Sequence, residues 1–352
     1  MDDMDENSIN NDQTMRDGGV PAQNTNDLNV SIGNMATGAS LGDDAALGRV
    51  DRYELLEKLG QGGFGAVYRA HDTVSDTEVA LKALPPLLAH ISDELERVRA
   101  NFRLVEKLSH PQIAGVRFLH QVKDVDHAAS TGLGVSDGGF LVVMEYVKGS
   151  TLQNWRKCFA DGKVPVDVAL KVCRLIAEGL DYAHSEKVVH RDIKPGNVMV
   201  QTAESTIDQV QKVKILDFGL AAEIRSSMSR VSQQQGDTSG TRPYMAPEQW
   251  AGKKQGARTD QYSLAVLFYE LVSGEVPFQS TFETGDTLLM MNVVEAKTPE
   301  PVAELSRKQN DLLLRGLAKA PEERFETCIA LIKSLSTGKG APIHKSAKPK
   351  SA

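Results

Sequence analysis

The feature that most limits how this chain can fold is a change in its hydrophobic period. Up to about residue 147, apolar and polar residues alternate around glycines, as in "YELLEKLGQGGFGAVYRAHD", "TEVALKAL", "IAGVRFLHQV" and "GGFLVVMEYV". Period-two patterning rich in Val, Phe and Tyr predicts strands, and the turns between them predict an antiparallel sheet. From Leu152 onward the spacing lengthens, as in "VALKVCRLIAEGLDYAH" and "TDQYSLAVLFYELVSG". That is the 3.6-residue spacing of helices. The expected architecture is therefore α+β, with a small β-rich lobe followed by a larger, mainly helical one. With 352 residues, 41 % of them hydrophobic, the chain can bury a core of that size.

The flanks read differently. Residues 1–49 carry nine acids against two bases and almost no aliphatic periodicity, so they are expected to form a disordered acidic arm. Since the whole chain sums to −7, the remainder is neutral, and no basic field points to nucleic acid. Residues 336–352, "STGKGAPIHKSAKPKSA", read as a basic flexible tail or a linker. Between the arms, a first lobe over 50–147 and a second over 148–335 are expected. The apolar runs "FLVVMEYV" and "LAVLFYELV" are too short to span a bilayer, and the acidic start is no signal peptide, so the expected location is cytoplasmic. Cys158, Cys173 and Cys328 form no paired spacing and read as small buried side chains. The polar, glycine-rich stretch "HQVKDVDHAASTGLGVSDGG" reads as a surface loop.

The glycines of "GQGGFGAVY" sit between two strand runs, where backbone N–H groups can close on a polyphosphate. Taken alone, such a glycine-rich hairpin is often only a tight turn. A dinucleotide fold is excluded, because a strand and not a helix follows the last glycine. The sequence then presents, in order, "VALK" ending at Lys82, "HRDIKPGN" from His190 to Asn197, "DFG" from Asp217 and "APE" from Ala246.

This ordered set resembles the catalytic domain of eukaryotic-type Ser/Thr protein kinases over about residues 51–335, in the style of the bacterial members. The resemblance implies a bilobal fold and transfer of the ATP γ-phosphate to protein Ser and Thr hydroxyls, with autophosphorylation of the activation segment. It assigns the nucleotide loop to Leu59, Gly60, Gln61, Gly62, Gly63, Phe64 and Gly65. Val67 and Ala80 would form the roof over the adenine and Met199 the floor. Met144 would be the gatekeeper, and the backbones of Glu145 and Val147 would bond the adenine edge. Lys82 would hold the phosphates, while Asn197 and Asp217 would bind magnesium, or manganese in its place. Asp192 would orient the acceptor hydroxyl and take its proton, with Lys194 offsetting charge on the transferring group. Asp260 would tie down the catalytic loop, and Glu248 with Arg324 would form a buried ion pair.

Two further expectations concern substrate and regulation. Thr241 in "GTRPY", together with Lys194, resembles Ser/Thr kinases. Thr151 and Gly196 replace acids that favour basic peptides, though Glu270 remains. The activation segment offers Ser226, Ser227, Ser229, Ser232, Thr238 and Ser239 as exposed hydroxyls for phosphorylation. Arg191 would pair with a phosphorylated loop. Asp237, four residues before Thr241, is placed to engage Arg191 without modification.

One position departs from the pattern. Asn101, nine residues ahead of His110, stands where the family has the helix glutamate that pairs with Lys82. Helical geometry turns Glu106 away and puts Glu94 two turns earlier, so neither is a simple replacement, and a one-residue slip brings Ala100 or Phe102. The Asn101 amide oxygen can still accept one neutral hydrogen bond from Lys82, and what replaces the ion pair stays open. An active kinase is favoured, the alternative being a nucleotide-binding pseudokinase scaffold.

Overall fold

The structure is a computed structural model and describes residues 47–62, 65–86, 91–203, 206–218, 223–224, 227, 242–278, 293 and 298–338. The alternating run forms β1 (Arg49–Val50), β2 (Tyr53–Gly62), β3 (Gly65–Asp72), β4 (Thr77–Ala83), β5 (Val116–Gln121) and β6 (Phe140–Glu145). These make an antiparallel sheet in the order β1-β2-β3-β4-β6-β5. Period-two geometry divides the side chains of the central strands between two faces. Val79, Leu81 and Ala83 of β4 and Leu141 and Val143 of β6 pack into an outer cluster with Val50, Tyr53 and Leu55. Ala80, Val142 and Met144 point the other way, into the main core, so β6 is apolar throughout because both of its faces are covered.

Helix α1 (Ser92–Val105) packs on that inner face with Leu95, Val98, Phe102 and Val105 buried. Helix α2 (His127–Leu133) lies within the stretch expected to be a loop. Its start and stop signals are local. The Asp126 side chain accepts from Ala129 N and from Arg49 N, and Gly134 closes the C-terminus at φ 68°. Only Ala129 and Leu133 are buried, against the outer cluster, which is too few for a visible period.

The second half begins with β7 (Ser150–Thr151), which joins β8 (Val198–Ala203) and β9 (Thr206–Ile215) in a small antiparallel sheet. Helices α3 (Leu152–Arg156), α4 (Val166–Ser185), α5 (Pro247–Trp250), α6 (Ala257–Ser273), α7 (Arg307–Gly316) and α8 (Cys328–Thr337) complete it. Helix α6 is buried on every side from Thr259 to Val272 and is the axis around which α4, α7 and α8 pack. Among the described residues, no helix is long and apolar enough to cross a membrane. Cys173 and Cys328 are buried and Cys158 is half-buried, and none of the three forms a disulfide.

Arg324, just before α8, is fully buried and meets Glu248 of α5 in a two-pronged pair, Nη1 to Oε1 at 2.9 Å and Nη2 to Oε2 at 2.8 Å. Its remaining N–H groups donate to the carbonyls of Arg258, Ala318 and Lys319, and the guanidinium lies 4.8 Å from the Tyr262 ring centroid. Burial acts to raise the Glu248 pKa, yet Arg324 outweighs it and the carboxyl titrates below its ordinary range. Removing one partner strands a buried charge, so Arg324→Met is expected to cost about 3–5 kcal/mol, measured by urea unfolding. The double variant Arg324→Met/Glu248→Leu should recover part of that loss.

Candidate active site

The site is built on one buried carboxylate. Asp260, on the first turn of α6, is fully inaccessible and accepts from the backbone N–H of His190 at 2.8 Å and of Arg191 at 2.7 Å. A third donor is His184 Nε2 of α4, 2.7 Å from Oδ2. These bonds hold Arg191 at φ 66°, a left-handed conformation that an arginine adopts only when its surroundings impose it. The Arg191 carbonyl accepts from Gln249 Nε2 at 3.0 Å, so both backbone polar groups of this residue are tied. His190 donates from Nε2 to the Leu216 carbonyl at 2.8 Å, and its Nδ1 accepts from Asp192 N–H at 3.2 Å. One imidazole thus links the catalytic loop to the segment that carries Asp217.

On this frame Asp192 is 3 % exposed. Its Oδ2 lies 3.0 Å from Asn197 Nδ2 and 3.3 Å from Lys194 Nζ. Asn197 follows a tight turn at Pro195 and also donates Nδ2 to the Asp192 carbonyl at 2.8 Å. Both contacts use the amide nitrogen, which leaves the amide oxygen for another partner. Asp217 stands at φ 56° and receives Lys82 Nζ on Oδ2 at 2.7 Å. The oxygens of Asn197 and Asp217 are hard donors and fit a divalent cation.

The sequence leaves open what replaces the ion pair of Lys82, and the structure pairs the lysine with Asp217. The register of α1 is as the sequence reading placed it: Ala100 and Glu106 are exposed, and Asn101 sits on the buried stripe of Glu94, Val98 and Val105. The Asn101 amide oxygen is buried with no hydrogen-bond partner. The physical reason is charge: an ammonium prefers a carboxylate to an amide.

Around this centre, Ala80 and Met144 lie on the inner face of the sheet, and Val67 pairs in register with Lys82. Met199 is half-buried and lines a cavity of about 250 Å³ with Glu145 and Val147. Glu145 N–H donates to the Gly115 carbonyl at 2.8 Å. Its side chain accepts from Gly115 N–H and Lys214 Nζ, both at 2.9 Å, a lock that motif reading gave no sign of. In the glycine loop, Leu59 and Gly60 are exposed, while Gln61, Gly62 and Gly65 continue the β2–β3 ladder. Gly63, Phe64, Ser226, Ser229, Ser232, Asp237, Thr238, Ser239 and Thr241 lie outside the described residues. Ser227, expected to be exposed, is fully buried.

His184 and Asp181 are also new. Asp181 accepts from Cys328 N–H and Ile329 N–H at 2.9 Å each, capping α8, and lies 3.7 Å from His184 Nδ1. Both His184 nitrogens and both Asp181 oxygens are thereby engaged, so the Asp181, His184 and Cys328 cluster reads as a structural joint and not as a metal centre. On helical spacing, His184 looks like ordinary core. Burial opposes its charge, but Asp181 and Asp260 outweigh burial and raise the pKa from 6.5 to about 9. A raised pKa means stability that is complete below about pH 6.5 and lost as pH climbs through about 9. We expect His184→Gln to be less stable than the parent by about 2–3 kcal/mol at pH 6, the gap closing toward pH 10. Urea unfolding across that range is the measurement, and parallel pH curves would contradict the assignment.

Comparison with known proteins agrees with this geometry. The family model described as protein kinase domain matches residues 53–334. The serine/threonine-protein kinase PknB of Mycobacterium tuberculosis (strain ATCC 25618 / H37Rv) is 34 % identical over 284 residues, 79 % of this chain and 41 % of that protein. PrkC of Bacillus subtilis (strain 168), also described as a serine/threonine-protein kinase, is 29 % identical over 78 % of this chain and 39 % of its own length. The chain therefore spans about two fifths of the length of these relatives. The crystal structure of the PknI kinase domain of Mycobacterium tuberculosis superposes with a TM-score of 0.58, at 24 % identity, covering 82 % of this chain and 97 % of that one. With a family model over most of its length and the loop held by Asp260 in place, this chain belongs to the protein kinase domain family.

Proposed function

We propose that this chain is a Ser/Thr protein kinase that transfers the γ-phosphoryl group of ATP to protein hydroxyls, with magnesium as the cation and its own activation segment among the acceptors. The observation that carries this reading is the Asp192 carboxylate, held 3.0 Å from Asn197 and 3.3 Å from Lys194 on a loop whose backbone is fixed. Asp192 would take the proton of the incoming hydroxyl, and Lys194, beside it, would balance charge on the group in transfer. A divalent cation held by Asn197 and Asp217 would neutralise the phosphate oxygens when bound. Lys82 would position the phosphates from the roof. The relatives described as serine/threonine-protein kinases support the choice of acceptor.

The surroundings of Glu270 bear on the acceptor sequence. Its carboxylate is buried and already engaged, accepting from Tyr244 Oη at 2.6 Å and from Arg156 Nη2 at 2.9 Å. Burial raises its pKa, with Tyr244 and Arg156 pulling the other way. A carboxylate so occupied offers nothing to a basic substrate residue, which supports substrates without a basic requirement. Arg191 supports control through the activation segment: its Nε is buried with no hydrogen-bond partner among the described residues, and a guanidinium is a strong donor to an anion brought beside it. Asp237 and a phosphorylated Thr238 are the anions we propose, and Thr241 would contact Asp192. No observation favours a silent scaffold.

The test is incorporation of radiolabel from γ-labelled ATP with magnesium, parent against Asp192→Ala. Incorporation on Ser and Thr should fall by about 10²-fold or more in the variant. Equal incorporation in both proteins, or none in either, would overturn the proposal.

A further inference from the structure

Tyr146, just past the end of β6, is held by a side chain that none of the motifs includes. Arg69 of β3 pairs in register with Ala80 of β4, so it shares the inner face of the sheet with Val67 and Ala80, the two residues expected to roof the base. Its neighbours Tyr68 and Ala70 point the other way, into the outer cluster. The Arg69 guanidinium lies 5.6 Å from the centroid of the Tyr146 ring, inside the roughly 6 Å reach of a cation–π contact. Two carboxylates aim it there. Arg69 Nη1 donates to Glu78 Oε1 at 2.7 Å, and Nε lies 3.3 Å from Glu57 Oε2. Glu57 belongs to β2 and Glu78 to β4, so three neighbouring strands fix one guanidinium. Arg69 and Tyr146 are both half-buried, where a cation over a ring counts for more than in open water.

Tyr146 stands at a sensitive place in the chain. In the proposed function the backbones of Glu145 and Val147 would bond the adenine edge, and Tyr146 is the residue between them. Peptide units are planar, so the Glu145 carbonyl and the Val147 N–H are set relative to each other by φ and ψ of Tyr146 alone. On one side the Glu145 carboxylate is locked by Gly115 N–H and Lys214 Nζ. We infer that Arg69 is a positioning residue for the nucleotide base: by holding the Tyr146 ring it fixes the torsions that aim the two backbone groups at the adenine. It acts through Tyr146 and not by touching the base. With the ring released, Tyr146 samples further torsions, and base binding then carries the entropy of ordering them. The inference rests on the proposed reading of the chain as an ATP-dependent kinase, but its test needs no phosphoryl transfer.

The experiment is isothermal titration calorimetry of the full chain in magnesium, once with a non-hydrolysable ATP analogue and once with adenosine. Arg69→Met and Tyr146→Leu should each weaken both ligands by about 3- to 5-fold, because the clasp acts on the base that the two ligands share. The double variant Arg69→Met/Tyr146→Leu should lose no more than either single one, since both changes remove the same contact. Tyr146→Phe keeps the ring and should bind as the parent does. Parent-like affinity in Arg69→Met, additive losses in the double variant, or a loss in Tyr146→Phe as large as in Tyr146→Leu would overturn the inference while leaving the kinase reading intact. A loss confined to the ATP analogue would do the same, since it would put the effect at the phosphates. Failure of the parent to bind the analogue would overturn both. Thermal melting identifies any variant that does not fold, and for such a variant Arg69→Gln or Tyr146→Val takes its place with the same expected sign.

Discussion

The Asp260 carboxylate is the interaction on which the rest of the structure depends. A fully buried charge is tolerable only when its oxygens are satisfied, and three donors from two separate segments supply that. The consequence reaches beyond stability. Because His190 N–H and Arg191 N–H both point at Asp260, the chain must turn sharply there, and the turn presents Asp192 toward Asn197 and Lys194. Gln249 then grips the Arg191 carbonyl, so α5 and the catalytic loop share one peptide unit. The Glu248 and Arg324 pair anchors α5 from the other side. Loop geometry is thus fixed by the large helical half, while Lys82 is delivered by the sheet.

How much of this was legible in the sequence differs by level. The change of period gave the sheet and the helices because burial on one or both faces is written directly into residue spacing. The ordered motifs gave Lys82, Asp192, Lys194, Asn197 and Asp217, and the structure pairs Lys82 with Asp217 and sets Asn197 and Lys194 against Asp192. Helix α2 was missed because two buried residues in seven, Ala129 and Leu133, make no period, although Asp126 and Gly134 were cap signals in plain view. His184, Asp181 and Gln249 were missed for another reason. Each acts through a bond to a segment distant in sequence, 76 residues from His184 to Asp260 and 58 from Arg191 to Gln249, and no local pattern encodes such a contact.

The partner of Lys82 shows where motif reading stops. Counting from His110 located Asn101 correctly on the inward stripe of α1, and hydrogen-bonding capacity made it a plausible acceptor. What the sequence could not rank was the competition between an amide and a carboxylate that lies 135 residues from Lys82. Position was legible and energy was not, because the answer depends on how close Asp217 comes.

That competition has a consequence for the charge of the whole site. Lys82 and Lys194 bring two positive charges, and Asp192 and Asp217 bring two negative ones, so these four side chains balance. A glutamate at position 101 would have made the group net negative. A net negative cleft gathers cations and repels a polyphosphate that arrives without one, whereas a balanced cleft does neither strongly. In the proposed function, Lys82 and Lys194 beside Asn101 would keep their full attraction for phosphate oxygens, with a weaker hold on a free cation. Nucleotide and cation would then be best admitted together, since the phosphates supply cation-binding oxygens of their own. In the proposed function the substitution would therefore shift part of the work of assembling the site from α1 to the substrate itself.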